Sequence, residues 1–226
     1  MSGFEGFSRD LPAFLGELQE NNSKAWFDAN RKRYEAVYLE PAKRFVEAIG
    51  PALAAISPDI AAEPRVNGAI MRINRDIRFS KDKTPYKTTC DLHFLEGRTK
   101  LKSNPAYVFR ITPDDFWIGA GAHGFTKLQL EAYRAALVDA TKGQAIREAL
   151  QAAAEVGGAH YKTVPRGFPA DHPNAALLKH AMLYVTRREP HPDALFGPGA
   201  VDYCLDAYTA LRPVQAWLVE VVGDRG

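Results

Sequence analysis

The chain has 226 residues, a formal net charge of +2, 46% hydrophobic residues and 25% charged residues, which is the composition of an ordinary globular protein. This length is sufficient for a substantial core in one domain or in two tightly joined subdomains. No stretch approaches the ~20 apolar residues that are needed to span a bilayer, and a near-neutral total charge counts against a wholly basic nucleic-acid-binding chain.

The cysteines and the N-terminus indicate a cellular compartment. Cys90 and Cys204 are the only cysteines, lie far apart and match no C-x-x-C spacing, so neither a disulfide framework nor a zinc ribbon is expected. The opening residues, MSGFEGFSRD, lack a basic segment followed by an apolar run. We therefore expect a cytoplasmic protein with reduced thiols and no membrane association.

Helical patterns dominate residues 1–58. Ser8 is expected to cap a first helix, because apolar residues follow it at helical spacing. Ser23 is expected to cap a second helix that runs to about Tyr38, and Pro41 suits the first turn of a third. The N-terminal quarter is therefore predicted to be helical.

From Ala69 the apolar period changes to two, which predicts a half-buried strand. One face of this strand would carry Met71, Ile73, Ile77 and Phe79, and the other Arg72, Asn74, Asp76 and Arg78. Arg75 breaks the alternation, because it shares the apolar face. An arginine buried there would need a partner.

Further elements follow along the chain. Strands are predicted at residues 91–95, 106–112, 115–120 and 182–188, and helices at 126–140, 144–155, 174–180 and 200–222. The turn Pro113-Asp114 makes a hairpin of two of these strands. Gly157 and Gly158 are expected to end a helix, and Pro213 to kink or divide the last one.

This order of elements predicts an α+β fold. We expect a single domain at 1–226 with a mainly antiparallel sheet of about 4–6 strands, packed by N- and C-terminal helices. Within it, residues 1–58 would be helical, 69–120 rich in strands, and 126–226 mainly helical.

No cofactor or metal site is identified from the residues. The glycines from Gly119 to Gly124 fit G-x-G-x-x-G, but no βαβ crossover follows them, so a tight turn between strand and helix is the favoured interpretation. Backbone N–H groups at that helix start could still hold an anion. The six histidines form no metal-binding motif, and Asp91 and His93 share a strand face without a third ligand.

The strongest candidate site is the basic segment, which we define as residues 72–87. Between Met71 and Cys90, six cationic side chains face two carboxylates, a local balance of +4. The candidate anion-binding residues are Arg72, Asn74, Arg75, Arg78, Lys81, Lys83 and Lys87, and the candidate proton-transfer groups are Asp76 and Tyr86. Arginine suits bidentate contact with a carboxylate or a phosphate.

Two structural interpretations compete with a functional one. Arg–Asp pairs along a strand often form a solvated ion-pair network of little net value. A row of cationic side chains also protects an exposed strand edge from aggregation.

The leading functional hypothesis is an enzyme, or a small-molecule binding protein, that recognises a phosphate- or carboxylate-bearing ligand. One alternative is a nucleic-acid-binding module, favoured by local positive charge beside Phe79 and Tyr86. The other is an adaptor, in which the basic segment docks an acidic protein partner.

Four sequence blocks resemble the family known as domain of unknown function 2461 (DUF2461). They are FSRDLPAFLGELQENNSKAWFDANRKRYE, RINRDIRFSKDKTPYKT, WIGAG and VPRGFPADHP. The resemblance spans nearly the whole chain and implies a compact single domain that is widespread in bacteria. It supplies no established activity, cofactor or catalytic residue.

The first of these blocks adds a candidate wall for the same site. The wall would consist of Asn22, Trp26, Asn30, Arg31 and Tyr34. The alternative is that these residues are helix caps and a packed aromatic group.

Overall fold

The computed structural model describes residues 3–99, 101–151 and 155–225, and at its centre is an antiparallel sheet. Five strands form this sheet in the order β1-β2-β3-β5-β4. They are β1 (Cys90–Leu95), β2 (Ala106–Ile111), β3 (Asp115–Ala122), β4 (Glu155–Ala159) and β5 (His180–Pro190).

Helices lie at both ends of the chain, which confirms the expected α+β class. The N-terminal ones are α1 (Asp10–Glu20), α2 (Lys24–Ala29), α3 (Arg31–Tyr34), a π-helical turn (Glu35–Leu39) and α4 (Glu40–Ile56). The later ones are α5 (Lys127–Val138), α6 (Ala140–Leu150), α7 (Ala175–Leu178), a 3-10 turn (Asp193–Phe196) and α8 (Ala200–Val222). Within the described ranges, no helix has the length and the apolar content that a membrane crossing needs.

One face of the sheet carries the core. The side chains of Cys90, Leu92 and Phe94 alternate along β1 into this core and are buried, as expected for a strand with one packed face. Helix α8 packs on β3 and β2, and α4, α5 and α6 pack on α8. Asp91 and His93 therefore lie on the opposite face of β1.

An aromatic cluster joins the N-terminal helices to the sheet. The ring of Phe109 in β2 lies 5.3 Å from Phe7, 5.1 Å from Phe45 in α4 and 5.1 Å from Phe116 in β3, between ring centroids. All four side chains are buried. These contacts fix where the N-terminal helices sit relative to the strands.

The hairpin of β2 and β3 is confirmed. Its turn is held by Thr112, whose Oγ1 accepts hydrogen bonds from the N–H groups of Asp114 at 3.1 Å and Asp115 at 2.9 Å. Pairing of Ile111 with Phe116 sets the register. The residues of the turn are therefore sufficient to predict this hairpin.

The strand predicted from Ala69 is wrong beyond its first residues. The Met71 N–H donates to the Asp91 carbonyl at 3.0 Å, and the His93 N–H donates to the Ala69 carbonyl at 2.8 Å. This short stretch lies along the free edge of β1 and makes only an isolated bridge to it. The chain then leaves the sheet.

The basic segment instead folds back on itself. The Arg75 N–H donates to the Pro85 carbonyl at 2.8 Å, and the Lys87 N–H donates to the Ile73 carbonyl at 2.7 Å. Because these pairs use the backbone groups internally, no ladder with the sheet forms. The predicted division of side chains into an apolar and a polar face is also wrong, because Phe79, expected on the apolar face, is 95% exposed.

One helix prediction in the N-terminal part needs correction. Ser23 caps α2 as expected, accepting from the Trp26 N–H at 3.3 Å. The helix expected to reach Tyr38 is interrupted at Asn30 and becomes a π-helical turn before α4. Pro41 lies in the first turn of α4 and has no N–H to donate.

The C-terminal part contains more strand than predicted. Helix α6 ends at Leu150, whereas Gly157 and Gly158 belong to the edge strand β4; residues 152–154 of the predicted helix lie outside the described residues. At Gly158, φ is +119°, and a Cβ would come within 1.9 Å of the Met182 carbonyl oxygen. Glycine thus permits the close approach of β4 to β5. Pro213 does not divide α8.

Phe109 and Phe79 form a matched pair for testing this core. Phe109→Ala should lower the free energy of unfolding by about 3–5 kcal/mol, because it removes a buried ring at the junction of helices and sheet. Phe79→Ala should leave it nearly unchanged, because Phe79 is 95% exposed. Chemical denaturation of both variants and the wild type measures the difference, and equal losses would contradict the described core.

Candidate anion-binding cleft

A cleft of about 610 Å³ opens between the end of α1, the basic segment and the first two strands. Its walls combine cationic, acidic and hydroxyl side chains. They are Gln19, Asn22, Met71, Arg75, Asp82, Thr84, Tyr86, Lys87, Thr88, Thr89, Asp91, His93 and Arg110.

Asn22 fastens the basic segment to the helical part. Its Nδ2 donates to the Tyr86 carbonyl, and its Oδ1 accepts from the Tyr86 N–H, both at 3.0 Å. The Tyr86 ring stacks on Phe27 of α2 with centroids 4.2 Å apart. The side-chain amide thus pairs with the backbone as a neighbouring strand would, and this wall of the cleft is held in place.

Arg75 lies in the second wall, where the segment turns back. Its guanidinium donates to the Asp82 carboxylate, to Thr84 Oγ1 and, at 3.2 Å, to the Thr84 carbonyl. The Thr84 N–H donates to Asp82 at 2.9 Å. That bond and the guanidinium of Arg75 lower the pKa of Asp82 to about 2. The arginine expected to be buried is therefore partly exposed and has its partner within the segment.

The strands supply the third wall. Arg110 of β2 pairs with Asp91 of β1 in the sheet register, and its Nε donates to Asp91 Oδ1 at 2.5 Å. Thr89 Oγ1 donates to the other carboxylate oxygen at 3.0 Å. The Asp91 side chain is 5% exposed and that of Arg110 is 40% exposed. A buried carboxylate therefore orients a cation that still reaches solvent.

Arg110 is also supported from its other side. Trp117 of β3 is its neighbour in the register, and the guanidinium carbon of Arg110 lies 5.6 Å from the centroid of the Trp117 ring. Arg188 of β5 lies 5.0 Å from the same centroid and pairs with Asp115 at 2.5 Å. These contacts favour a fixed orientation for the guanidinium that faces the cleft.

His93 and Lys87 complete the polar lining. His93 follows Asp91 on the same face of β1 and is half-buried. Burial is the largest influence that lowers the pKa of His93. Among the described residues, no carboxylate lies within salt-bridge distance of the Lys87 ammonium group.

Four of the residues predicted from the sequence line this cleft: Asn22, Arg75, Tyr86 and Lys87. The others of the basic segment lie outside its lining. They are Arg72, Asn74, Asp76, Arg78, Lys81 and Lys83, all exposed.

Asp76, a candidate proton-transfer group, is tied to Arg78 away from the cleft. Two hydrogen bonds join their side chains, at 3.0 Å and 2.6 Å. Hydrogen bonds from Arg78 hold the pKa of Asp76 well below its usual range. Such a carboxylate is a weak proton acceptor at neutral pH. Lys83, another predicted anion ligand, donates to the Ile77 carbonyl at 2.9 Å.

The remaining candidate wall residues make contacts within the N-terminal helices and the core. Asn30 Nδ2 donates to the Trp26 carbonyl at 3.0 Å, and Arg31 pairs with Asp28 at 2.8 Å. Trp26 packs against the core, and Tyr34 is buried in it. Only Asn22 of this group lines the cleft.

Arg110 is the principal residue that sequence reasoning missed. The sequence places Asp91 and His93 on one face of a strand. Arg110, which lies opposite Asp91, comes from the next strand. The register of β1 and β2 was the signal that could have identified it, because residues opposite each other in a pair of strands point to the same side. Ten residues, 96–105, separate the two strands in the sequence and obscure that register.

The glycine-rich motif, residues 119–124, contributes nothing to the lining of the cleft. A Cβ at Gly119 would come within 2.3 Å of the Val185 carbonyl oxygen, so this glycine permits β3 and β5 to approach each other. The start of α5 is closed by a capping box between Thr126 and Gln129. Across the described ranges, no three His, Cys, Asp or Glu side chains converge as a metal site would require.

The Asp91–Arg110 pair can be compared with the exposed Asp76–Arg78 pair. Asp91→Ala should lower the free energy of unfolding by about 1–3 kcal/mol, because it leaves hydrogen-bond donors of Arg110 and Thr89 without their acceptor. Asp76→Ala should cause no measurable change, because its pair is exposed and screened. Urea denaturation at neutral pH tests both variants. Equal free energies of unfolding would show that the pair in the cleft stabilises the protein no more than the surface pair does.

Comparison with known proteins identifies a family. A family model described as "Conserved hypothetical protein (DUF2461)" matches residues 10–217. No curated protein matches the chain. The matched region includes every residue that lines the cleft. The chain belongs to the DUF2461 family.

Proposed function

We propose that the cleft binds a small molecule that bears a phosphate or carboxylate group, and that the protein is an enzyme or a binding protein for such a metabolite. The cationic side chains of Arg75, Lys87 and Arg110 line the cleft together with two carboxylates. Hydroxyl and amide groups between them can accept or donate further hydrogen bonds. This mixture is typical of a site that orients an anion rather than one that only attracts it.

The observation that carries the proposal is that Lys87 lines the cleft without a carboxylate partner among the described residues. Arg75 and Arg110 each have a carboxylate partner, Asp82 and Asp91. Lys87 has none among the described residues and faces the same cleft. The cleft therefore has one positive charge in excess, which a bound anion would balance.

The two paired arginines contribute hydrogen-bond donors that are already held in position. A guanidinium has five N–H donors, and the carboxylates use only some of them. The remaining donors of Arg110 and Arg75 can contact an anion without the loss of side-chain freedom that a mobile arginine suffers on binding. A purely structural ion-pair network would not require a cleft around these pairs, so the lining favours ligand binding.

Lys87 and Lys81 provide a matched test of this proposal. Lys87→Met should weaken binding of inorganic phosphate or succinate about tenfold or more, because hydrogen bonds to a charged group contribute about 1.5–3 kcal/mol and 1.4 kcal/mol is a factor of ten. Lys81→Met removes the same charge outside the cleft and should change the affinity little. Isothermal titration calorimetry at low ionic strength measures both.

Two results would contradict the proposal. One is the absence of binding of both phosphate and succinate to the wild-type protein. The other is equal weakening by the two lysine substitutions, which would indicate attraction by overall charge and not by the cleft.

The tip of the basic segment favours a second candidate, the docking of an acidic protein partner. Phe79 is 95% exposed, and the guanidinium carbon of Arg78 lies 5.9 Å from its ring centroid. An exposed ring beside cationic side chains is typical of interface anchors. The nucleic-acid-binding alternative stays a prediction, with a steep salt dependence as its signature.

The adaptor candidate predicts a result that is independent of the cleft. A partner captured by the wild-type protein should be lost with Arg78→Ala and with Phe79→Ser, while phosphate binding stays unchanged in both variants. Affinity purification followed by mass spectrometry makes this comparison. Retention of the same partner by both variants would rule out the tip as its docking surface.

A further inference from the structure

We propose that His93 is the proton-transfer residue of the cleft, and that it accepts a proton from a hydroxyl group of the bound anion or from a water molecule beside it. This inference rests on the proposed function, since an anion must occupy the cleft. The substrate class that follows is an anionic metabolite with a hydroxyl group, or one that is attacked by water.

The strand places His93 suitably for this role. It lies two residues after Asp91 in β1, so both side chains are on the face opposite the core. Val108 is its neighbour in β2 and offers no polar side chain. Among the described residues, neither ring nitrogen of His93 has a hydrogen-bond partner, and the ring lines the cleft.

Titratable groups from four parts of the chain act on the imidazole. Asp91 in β1 raises its pKa, whereas Arg110 in β2, Lys87 in the basic segment and His123 after β3 lower it. Burial has the largest effect and lowers the pKa as well. The ring is therefore neutral at pH 7 and has a nitrogen available as a proton acceptor. Asp82, Tyr86 and Arg75 are the other ionisable groups that line the cleft.

The acidic groups of this region are less suited to the role. Asp91 is engaged by Arg110 at 2.5 Å and by Thr89 at 3.0 Å. Asp82 is engaged by Arg75 and by Thr84. The hydrogen bonds from Thr84 and Arg75 lower the pKa of Asp82 to about 2, so Asp82 binds a proton weakly, and both carboxylate oxygens of Asp91 already accept hydrogen bonds. His93 is not engaged in this way.

The proposed step is a single proton transfer from an oxygen to the His93 ring. An O–H bond of the substrate or of water breaks, an N–H bond forms on the imidazole, and the electron pair remains on the oxygen. Arg110 and Lys87 lie in the same walls and stabilise the developing negative charge. Asp91, which is close enough to raise the pKa of the ring, offsets the charge of the imidazolium.

Nuclear magnetic resonance of the histidine rings tests this inference without a known substrate. The pH titration of ¹⁵N-histidine-labelled protein is recorded with and without saturating inorganic phosphate, and the His93 signal is assigned with His93→Asn. In the free protein, His93 should titrate below the usual histidine value of about 6.5. Phosphate should shift its midpoint upward, because a nearby anion favours the protonated ring.

His160 serves as the internal control. It follows β4, at the opposite edge of the sheet from β1, and is exposed. Its midpoint should not change with phosphate.

Each outcome separates the inference from the proposed function. Phosphate binding with an unchanged His93 midpoint would overturn the inference and leave the proposed function intact. A His93 midpoint above neutrality in the free protein would also overturn it, because the ring would already carry its proton. If neither phosphate nor succinate binds, both the inference and the proposed function are wrong.

Discussion

The cleft depends on the paired hydrogen bonds between the Asn22 side chain and the backbone of Tyr86. The basic segment has few backbone bonds to the sheet, so its position must be set by contacts with the helices. Asn22 supplies one donor and one acceptor at 3.0 Å each, and the Tyr86 ring stacks on Phe27. Partial burial makes such bonds more costly to lose than those of an exposed turn. Arg75 and Lys87 lie on the same segment and are therefore positioned indirectly by Asn22.

The internal pairing of the basic segment explains why a charged stretch can serve both as a wall and as an exposed tip. Its two limbs satisfy each other through Ile73, Arg75, Pro85 and Lys87, which leaves the residues between them free of the sheet. Near the base, side chains face the cleft. Towards the tip, Phe79 and its neighbours face solvent. A continuous strand could not divide its side chains in this way, because alternate residues would point to the same two faces along its whole length.

Sequence reasoning succeeded where the determining contacts are local. The β2–β3 hairpin follows from alternation and from a turn whose groups are satisfied by Thr112. It failed for the strand at Ala69, because the same alternation arises in a segment that pairs with itself. The bond between Asn22 and Tyr86 joins residues 64 positions apart, and the pair of Asp91 and Arg110 depends on register across a ten-residue loop. Neither contact leaves a local signal, so the sequence predicts only four of the thirteen residues that line the cleft, and it does not predict the geometry of the cleft.

The arrangement of charges would couple the proposed anion binding to the protonation of His93. Arg75 and Arg110 are stabilised by Asp82 and Asp91, so the cleft does not need a ligand to hold these two cations in place. Burial and the positive charge of Arg110 and Lys87 lower the pKa of the His93 imidazole. An anion in the cleft would offset that charge and increase the proton affinity of the ring. Because linkage is reciprocal, protonation of His93 would in turn strengthen anion binding. The anion would therefore strengthen the tendency of the neutral ring to accept a proton from the bound molecule or from water, which is the step proposed for His93.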